Sequence, residues 1–394
     1  MRLVSTRNST RIYKALTYKA SIYKASICKA SVYSVLAACL VGCSGGGQTG
    51  SRSADSGRAV GTQQESGQRA SRQQASQSSR QASSGDGFRS ERELRSVAVD
   101  VLLELSSNER PEIRANTLEA LQGHTQSLES IAALGLSDRN AGVRSVAAMV
   151  TGRQKMRALS PSLSGLKNDQ SPFVRASVMF AQDKIRRSNE TVDLTPLSMM
   201  LLEEGDIRVA SHAAYILGEL GNRSAVPLLQ QASVRSWDQV APIRRQLFRL
   251  QVAEALIKLG DQASIDAVRS GLYPSRPEEL EATALAVQII GEVGDRGAID
   301  QLIYLVDEDS QRPMPAEVRL AVAGALAKLG LPEGGFIADE YAQNANPTIR
   351  AQAAAVYGRT GQPEHLRKLE GMLLDQSDQV RAGSAGAILE ILGS

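Results

Sequence analysis

The sequence predicts an all-α solenoid, a stack of about nine helix pairs around one continuous core. The first observation is a run of apolar and small residues that begins beside an arginine, AEVRLAVAGALAKLG at residues 316–330. The pattern returns twice, and its arginines, Arg319, Arg350 and Arg381, are 31 residues apart. A fixed period of this length is typical of stacked helix pairs, each of which buries its apolar face against its neighbours.

Composition limits what such a stack can hold. Aromatic residues make up only 4% of the chain, so the core is expected to consist of Leu, Ile, Val and Ala. Small side chains let helices pack closely, and they are poorly suited to a deep aromatic-lined ligand pocket. The three cysteines all lie before residue 44, so the repeat region can form neither a disulfide nor a thiolate metal site.

The net charge of +3 conceals an uneven distribution. Residues 1–42 contain seven Lys or Arg and no acid, whereas residues 93–394 contain 31 basic and 38 acidic residues, a net charge of −7. Because contacts to phosphate dominate the affinity of nucleic-acid-binding proteins, an acidic solenoid disfavours a nucleic-acid partner.

Residues 1–42 have the organisation of an export signal. A stretch rich in Lys and Arg precedes an uncharged apolar run at 30–41, which is shorter than the ~20 residues that a membrane-spanning helix needs. The run leads into LVGC at 40–43. This resembles the lipobox of bacterial lipoproteins, which implies that Cys43 becomes an acylated N-terminus that holds the protein on a membrane. Ser44 after the cysteine implies an outer rather than an inner membrane.

The beginning of the chain also allows another interpretation. Residues 12–31 are four near-copies of a five-residue unit, which makes the basic part of the signal unusually long. Replication slippage or a wrongly assigned upstream start explains such copies. In the second case, the protein is a cytoplasmic accessory of an enzyme or a chromophore protein.

Residues 43–87 form a linker of Ser, Gly, Gln, Arg and Ala, in which Val60 is the only large aliphatic residue. A segment with so little apolar surface to bury cannot offset the entropy lost on ordering, so we expect it to be disordered. As a flexible coil it spans ~35–40 Å, which would let a folded domain search the space above a membrane.

The repeat region is predicted to occupy residues 88–394. Two of its units, at 209–221 and 281–294, lack the anchor arginine. Proline in the first turn of three units and glycine at the end of five helices are the residues expected at the two ends of a helix. The remaining units carry the anchor arginine, at Arg114, Arg144, Arg175, Arg249, Arg319, Arg350 and Arg381.

An Asp six residues before the arginine, an Ala-rich helix and a closing Leu-Gly resemble HEAT repeats, in particular the short HEAT-like type of phycobilisome lyases. The resemblance covers residues 90–394 and implies a structural ladder in which arginines pair with aspartates of neighbouring repeats. With helices packed ~8–10 Å apart, nine units predict a rod or arc of roughly 80–100 Å. The ladder residues that the resemblance implies are Asp138, Arg144, Asp169, Arg175, Arg319, Arg350, Asp375 and Arg381.

No pattern of residues indicates catalysis. His124, His212 and His365 lie in different units without a second ligand at metal-binding spacing, so neither a metal nor a cofactor is expected. A catalytic role would need a cleft that gathers His212 with several carboxylates. Two HEAT-like enzyme groups fit poorly, because bilin lyases act in the cytoplasm and alkylpurine DNA glycosylases need a basic, aromatic groove.

An irregular unit contains the best candidates for a partner contact. Trp and Arg are enriched in binding hot spots, and insertions in repeat proteins often lie on the binding face. The alternative is that Trp237 fills a gap between repeats that fit poorly. The candidates lie in and after a predicted inserted loop, and they are Arg235, Trp237, Arg244, Arg245 and Arg249.

These observations together predict a membrane-anchored, non-enzymatic scaffold that binds other proteins in the bacterial cell envelope through its repeat surface. The partners are proteins that the sequence does not identify. The cytoplasmic accessory protein remains the alternative.

Overall fold

The computed structural model describes residues 89–187, 191–307 and 313–393, and eighteen α-helices lie within them. They pair into nine successive hairpins, which confirms the predicted all-α solenoid of about nine helix pairs. The predicted signal peptide (1–42), the predicted linker (43–87) and residue 88 lie outside the described residues. No helix in the described ranges is both long enough and apolar enough to cross a membrane.

The helix bounds are α1 Glu91–Leu105, α2 Pro111–Ala120, α3 Thr125–Leu136, α4 Ala141–Arg153, α5 Ser160–Gly165, α6 Pro172–Ile185, α7 Thr195–Leu202, α8 Ile207–Leu220, α9 Val226–Ser233, α10 Pro242–Lys258, α11 Ile265–Ser270, α12 Leu280–Val293, α13 Ile299–Val306, α14 Ala316–Lys328, α15 Gly335–Tyr341, α16 Pro347–Thr360, α17 Leu366–Met372 and α18 Asp378–Leu392.

The helices form two layers. Even-numbered helices stand side by side in an inner layer, each packed against the even-numbered helices before and after it. Odd-numbered helices cover them on the outside. The buried core consists mainly of Leu, Ile, Val and Ala, as the low aromatic content predicts.

Glycines let the inner helices approach one another closely. A Cβ atom built on Gly152 would lie 2.7 Å from the Cα atom of Ala181 on the next inner helix. A Cβ atom on Gly358 would lie 2.9 Å from the Cα atom of Ala387. These distances leave no room for a side chain, so the positions take glycine despite its cost within a helix.

The turns that lead into the inner helices are held by short polar side chains. Asn140 accepts a hydrogen bond from the backbone N–H of Gly142 at 2.8 Å and caps α4. Ser171 makes no such cap, although a serine at this position could accept one. Instead, Asp169 accepts from the backbone N–H of Ser171 at 2.8 Å, so the side chain that holds this turn lies two residues before Ser171. Gly221 ends α8 in the left-handed conformation, with a φ of 77°.

The two ends of the solenoid meet, so the described part of the chain forms a closed ring. α18 packs against both α1 and α2. Across this seam, Asn108 donates to Asp378 at 2.7 Å and Arg381 donates to Glu104 at 3.0 Å. The expectation of an open rod or arc is therefore wrong. Each repeat is rotated slightly from the one before it, and over nine repeats these rotations bring the last helix back to the first.

Candidate functional site

An arginine ladder runs along the turns between each outer helix and its inner helix. Burial alone would raise the pKa of Asp169, but its bonds from Arg144 hold that pKa below the usual value. The aspartates lie in the turns and the arginines in the first turns of the inner helices, so the ladder is a structural feature of the ring. The bidentate pairs are Arg114–Asp138, Arg144–Asp169 and Arg350–Asp375, with N–O distances between 2.7 and 2.9 Å.

Three predicted ladder arginines have different partners. Arg319 pairs with Glu340 at 2.6 Å, and so uses a longer acid than the predicted aspartate. Arg175 donates to main-chain carbonyls of the turn that precedes it. Arg381 pairs with Glu104 of α1, so the last rung of the ladder closes the ring.

Trp237 belongs to the core. Only 7% of its surface is exposed, and its ring packs edge-on against Phe248 with 5.4 Å between centroids. The guanidinium of Arg235 lies 3.9 Å from the Trp237 ring centroid and donates to the carbonyl of Leu201 at 3.0 Å. Trp237 lies in the loop between α9 and α10, but its burial argues against the expected partner contact and matches the alternative in which Trp237 fills a gap between repeats.

The other candidate arginines lie at the start and middle of α10 and remain at the surface. Arg249 is exposed, and Arg244 and Arg245 are half-buried. Arg244 lies 3.5 Å from a carboxylate oxygen of Glu281, whose pKa burial raises. These three arginines are therefore accessible to solvent, whereas Trp237 is buried and Arg235 packs against its ring.

Two of the three histidines, His212 and His365, are buried and lie in different helix pairs. His212 is 1% exposed, its Nε2 atom lies 3.1 Å from the Ser177 hydroxyl, and burial lowers its pKa to about 4. His365 is also buried, with its Nδ1 atom 2.8 Å from the Thr360 hydroxyl. In the described ranges, no group of three or more His, Cys, Asp or Glu residues could hold a metal ion.

A cavity of about 500 Å³ lies at the centre of the ring. Its walls are formed by the inner helices α2, α4, α8, α10, α12, α14, α16 and α18. Ligand pockets in proteins typically measure ~300–1,000 Å³, so a small molecule or a short peptide segment would fit. On the side of α14, α16 and α18 the wall is built largely of small residues, among them Ala321, Ala325, Ala351, Ala355, Ala382 and Ala387.

A charged belt surrounds one mouth of the cavity. Its members lie in the last turns of the inner helices, so the C-terminal ends of these helices share one face of the ring. Five of the seven members stand nine residues after an anchor arginine, a regularity that is visible in the sequence and that the search for motifs missed. The belt consists of Arg153, Glu219, Lys258, Glu292, Lys328, Arg359 and Glu390.

Lys258 is at the centre of one half of the belt. Its Nζ atom donates to Glu219 at 2.7 Å and to Glu254 at 2.6 Å, and it lies 5.5 Å from the ring centroid of Tyr215. Burial alone would lower the pKa of Lys258, but the two carboxylates raise it. Arg153 donates to the hydroxyl of Tyr215 and lies 3.7 Å from Glu219.

The opposite half of the belt contains Glu292, Lys328, Arg359 and Glu390. Lys328 forms an ion pair with Glu292. Burial raises the pKa of Glu390, and the negative charge of Glu292 adds to this effect, whereas Arg359 and Lys328 oppose it. Groups of both signs thus lie around the mouth, and an occupant must match both signs.

Comparison with known proteins identifies one family that matches part of the chain. A family model described as PBS lyase HEAT-like repeat matches residues 209–234, which form most of α8 and α9. No curated protein matches the chain.

Two solved structures are similar to the chain at low identity. Human deoxyhypusine hydroxylase in complex with glycerol is 17% identical over 76% of this chain and 96% of its own, with a TM-score of 0.32. The complex of CpcE and CpcF of phycocyanin lyase from Nostoc sp. PCC7120 is 18% identical over 64% of this chain and 91% of its own, with a TM-score of 0.29. Values this low carry nothing about activity.

The family match falls on a unit that lacks the anchor arginine, and the other helix pairs repeat the same architecture around the ring. Closely packed inner helices recur around the ring, and bidentate arginine–aspartate pairs recur at Arg114, Arg144 and Arg350. The chain is a HEAT-like repeat protein.

Proposed function

We propose that the protein is a non-enzymatic scaffold, held at a membrane, whose outer surface binds other proteins. The observation that carries the proposal is where exposed apolar side chains lie. Large apolar side chains that are exposed on the outside offer apolar contact to a partner there. The large apolar residues that are mostly exposed all lie on outer helices or the turns after them, at Leu134, Met199, Val234, Tyr273, Ile303, Tyr304, Phe336 and Leu374.

The chemistry of the cavity supports binding rather than catalysis. Its lining contains no Ser, Thr, Cys or His, and Lys258 and Arg153 are held by their carboxylate neighbours. The hydroxyl and thiol nucleophiles that an adjacent histidine activates in many hydrolases are therefore not among the lining residues.

The proposed anchor is an acylated Cys43, supported by the charged and apolar segments before it and by the LVGC motif. Two acyl chains hold a protein stably where one gives only marginal binding. Ser44 favours the outer membrane of the bacterial envelope as the location. Residues 43–87 would then tether the ring near the membrane surface.

Metabolic labelling with palmitate tests the anchor. We expect the protein to carry the label and Cys43→Ala to lose it, while Cys39→Ala keeps it because Cys39 lies in the removed signal. Unlabelled, unprocessed and soluble wild-type protein would instead support the alternative, a cytoplasmic accessory protein. The family description, which names a lyase, is the observation that favours this alternative.

Crosslinking in native envelopes, followed by mass spectrometry, tests the binding surface. Val234 and Leu374 are 82% and 83% exposed. The double variant Val234→Lys with Leu374→Lys should therefore lower the yield of crosslinked partner proteins at least fivefold without changing the melting temperature. Ala267→Lys on outer helix α11 is a matched control with little apolar surface to lose. Unchanged partner recovery in the double variant contradicts a role for this surface.

The surface arginines of α10 are a second part of the proposed contact. Arg249 is exposed, and Arg244 and Arg245 are half-buried, so a partner could reach all three. Arg245→Glu with Arg249→Glu should weaken the same crosslinks if the partner is acidic there, and should leave them intact if the α10 surface faces solvent.

A further inference from the structure

We propose that the outer surface of α11, α13 and α15 is a docking site for a basic amphipathic helix of a partner protein. The proposal rests on the scaffold function proposed above and specifies the chemistry of the partner. Four large apolar side chains are exposed on these three helices and the turn that follows α11. We call them the apolar stripe, and they are Tyr273, Ile303, Tyr304 and Phe336.

The three helices are neighbours in the outer layer. Between α11 and α13, Arg269 binds both carboxylate oxygens of Asp295 at 2.7 and 2.8 Å. Between the turns before α13 and α15, the guanidinium of Arg296 lies 3.2 Å from where a Cβ atom on Gly330 would stand. The helices therefore stand side by side, and the exposed side chains on their outer faces belong to one surface.

The apolar stripe crosses this surface diagonally. Counted from the first residue of each helix, Phe336 is at position 2 of α15, and Ile303 and Tyr304 are at positions 5 and 6 of α13. Tyr273 is at position 9, three residues beyond the end of α11. Residues three or four apart share one face of a helix, so these positions point the same way. The residues at position 4 confirm the common register because all are fully buried, and they are Val268, Leu302 and Ala338.

The length of the apolar stripe fits a short helix. Seven positions at a rise of ~1.5 Å per residue give about 10 Å along the helix axes, and two steps of ~8–10 Å between helices give about 16–20 Å across them. The diagonal is therefore about 20 Å long, which is the length of a helix of about 14 residues. A helix of this length presents apolar anchors on one face, at positions such as i, i+4 and i+7.

Acidic side chains stand on both sides of the apolar stripe. On α13, Asp300 lies one turn before the stripe, and Asp307 lies about one turn after it, and both are exposed. Asp266 on α11 shares the position of Asp300 and is also exposed. On α15, Glu340 lies one turn after the stripe and pairs with Arg319 at 2.6 Å. An apolar helix with Lys or Arg along its edges would therefore meet carboxylates on either side.

The outer segments that carry the stripe are acidic as a whole. Residues 261–279, 295–307 and 331–344 contain ten acidic and three basic residues, and one of the three, Arg269, is already bound to Asp295. A net negative surface attracts a cationic partner and repels anionic lipid headgroups. The charge thus favours a basic helix over a membrane surface as the occupant.

A defined peptide tests the chemistry of the partner. The probe is a fluorescent peptide of Leu and Lys, LKKLLKLLKKLLKL, and the same peptide with Glu for Lys is the probe of opposite charge. In anisotropy titrations with the full-length protein, the basic probe should bind about tenfold more tightly than the acidic one. Asp266→Asn with Asp300→Asn should weaken the basic probe about threefold, because part of the attraction is removed.

A matched pair of double variants locates the bound peptide. Tyr304 and Phe336 are 66% and 59% exposed, and Tyr304→Ser with Phe336→Ser should weaken the basic probe about tenfold. Leu134 and Met199 are 69% and 52% exposed on other outer helices, and Leu134→Ser with Met199→Ser should change the affinity less than about twofold. Both double variants should keep the melting temperature of the wild type.

Three results would overturn the proposal. They are equal affinity for the two probes, equal weakening by the two double variants, and flotation of the Cys43→Ala protein with phosphatidylglycerol vesicles that Tyr304→Ser with Phe336→Ser abolishes. The last result would identify a lipid surface as the occupant.

Crosslinking in native envelopes separates this proposal from the scaffold function. If partner proteins are recovered and Tyr304→Ser with Phe336→Ser leaves their yield unchanged, the scaffold function stands and the docking site is wrong. If the basic probe binds the stripe and no partner protein is crosslinked in the envelope, the scaffold function fails and the assigned surface chemistry stands.

Discussion

Arginine has two roles in the ring, and they differ in what surrounds the guanidinium. In the ladder, Arg350 binds both oxygens of Asp375 and also donates to the carbonyl of Asn344. In the belt, Arg153 meets Tyr215 and Glu219 from other repeats. The first role follows from residues within one repeat and the next, so spacing predicts it. The second depends on which helices surround the cavity, and the sequence search did not find it.

The ladder provides a comparison between two arginines in the same kind of turn. Arg350→Lys should lower the free energy of unfolding by about 2 kcal/mol, because an ammonium cannot replace a bidentate bond and a carbonyl bond together. Arg175→Lys should cost about 1 kcal/mol or less, since Arg175 donates to main-chain carbonyls only. Urea unfolding at pH 7 measures both. Equal losses would show that the carboxylate contributes nothing.

His212 makes stability depend on pH. Burial lowers its folded-state pKa to about 4, so its contribution is complete above the unfolded value of 6.5 and is lost as the pH falls toward the folded value. Between pH 6.5 and 5 the protein should lose about 2 kcal/mol from this residue, because each pH unit in this window corresponds to about 1.4 kcal/mol. Urea unfolding at half-unit pH intervals measures the slope.

The control for this prediction is His212→Gln, whose amide can retain the contact with Ser177 but does not titrate. The variant should show a shallower slope over the same window. A smaller slope should remain, because burial also lowers the pKa of His365. Identical slopes in the wild type and the variant would locate the pH dependence elsewhere.

At the scale of elements, the sequence predicts where helices end better than it predicts which side chains of different helices pack together. Gly221 and Gly294 end their helices in the left-handed conformation, as their position after the apolar run indicates. The irregularity of its unit predicts Trp237 as a partner contact on an inserted loop. The structure places it against Phe248, one helix later, because an irregular repeat leaves a gap that a large side chain can fill.

The inner helices should be sensitive to a single methyl group where they cross. Gly358→Ala should destabilise the protein by about 1–3 kcal/mol, because its Cβ atom would meet the backbone of Ala387 at 2.9 Å. Gly371→Ala, on outer helix α17 with open space around it, should stabilise by about 0.5–1 kcal/mol through helix propensity. Thermal melting should show a lower melting temperature for Gly358→Ala and a higher one for Gly371→Ala. Stabilisation by both substitutions would mean that the inner helices are not in close contact there.

At the scale of the whole molecule, the sequence predicts the number of repeats but not their closure. Spacing such as that between Arg319 and Arg350 defines a repeat, whereas the rotation from one repeat to the next depends on packing at every interface. Small rotations that are unresolved in any one repeat accumulate over nine. Only contacts such as Arg381 with Glu104, far apart in sequence, show that the ends meet.

A ring without free ends should not fray. In linear repeat proteins the terminal repeats have one neighbour fewer and open first, whereas here α1 and α18 cover each other. Native-state hydrogen exchange should therefore show protection in α1 and α18 within about tenfold of that in α8. Gly386→Leu should speed exchange in both end helices, because its Cβ atom would lie 3.0 Å from that of Ala120.

Gly371→Leu serves as the matched control for the seam, since the same side chain is added where nothing lies within 4 Å. It should leave exchange in α1 and α18 unchanged. Rapid exchange of both end helices in the unmodified protein would show that the ring is open in solution.

Arg95 of α1 donates to the main-chain carbonyl of Leu392, the last residue of α18, and so joins the first helix of the ring to the last. The nine helix pairs form a closed cycle, and the backbone connects consecutive pairs everywhere except between α18 and α1. A short peptide between residues 393 and 89 would make this last connection, and a cut at another outer turn would produce the same ring from a reordered sequence. The repeats thus have an order but no natural first member, and a gene rearrangement that rotated this order could pass without changing the ring.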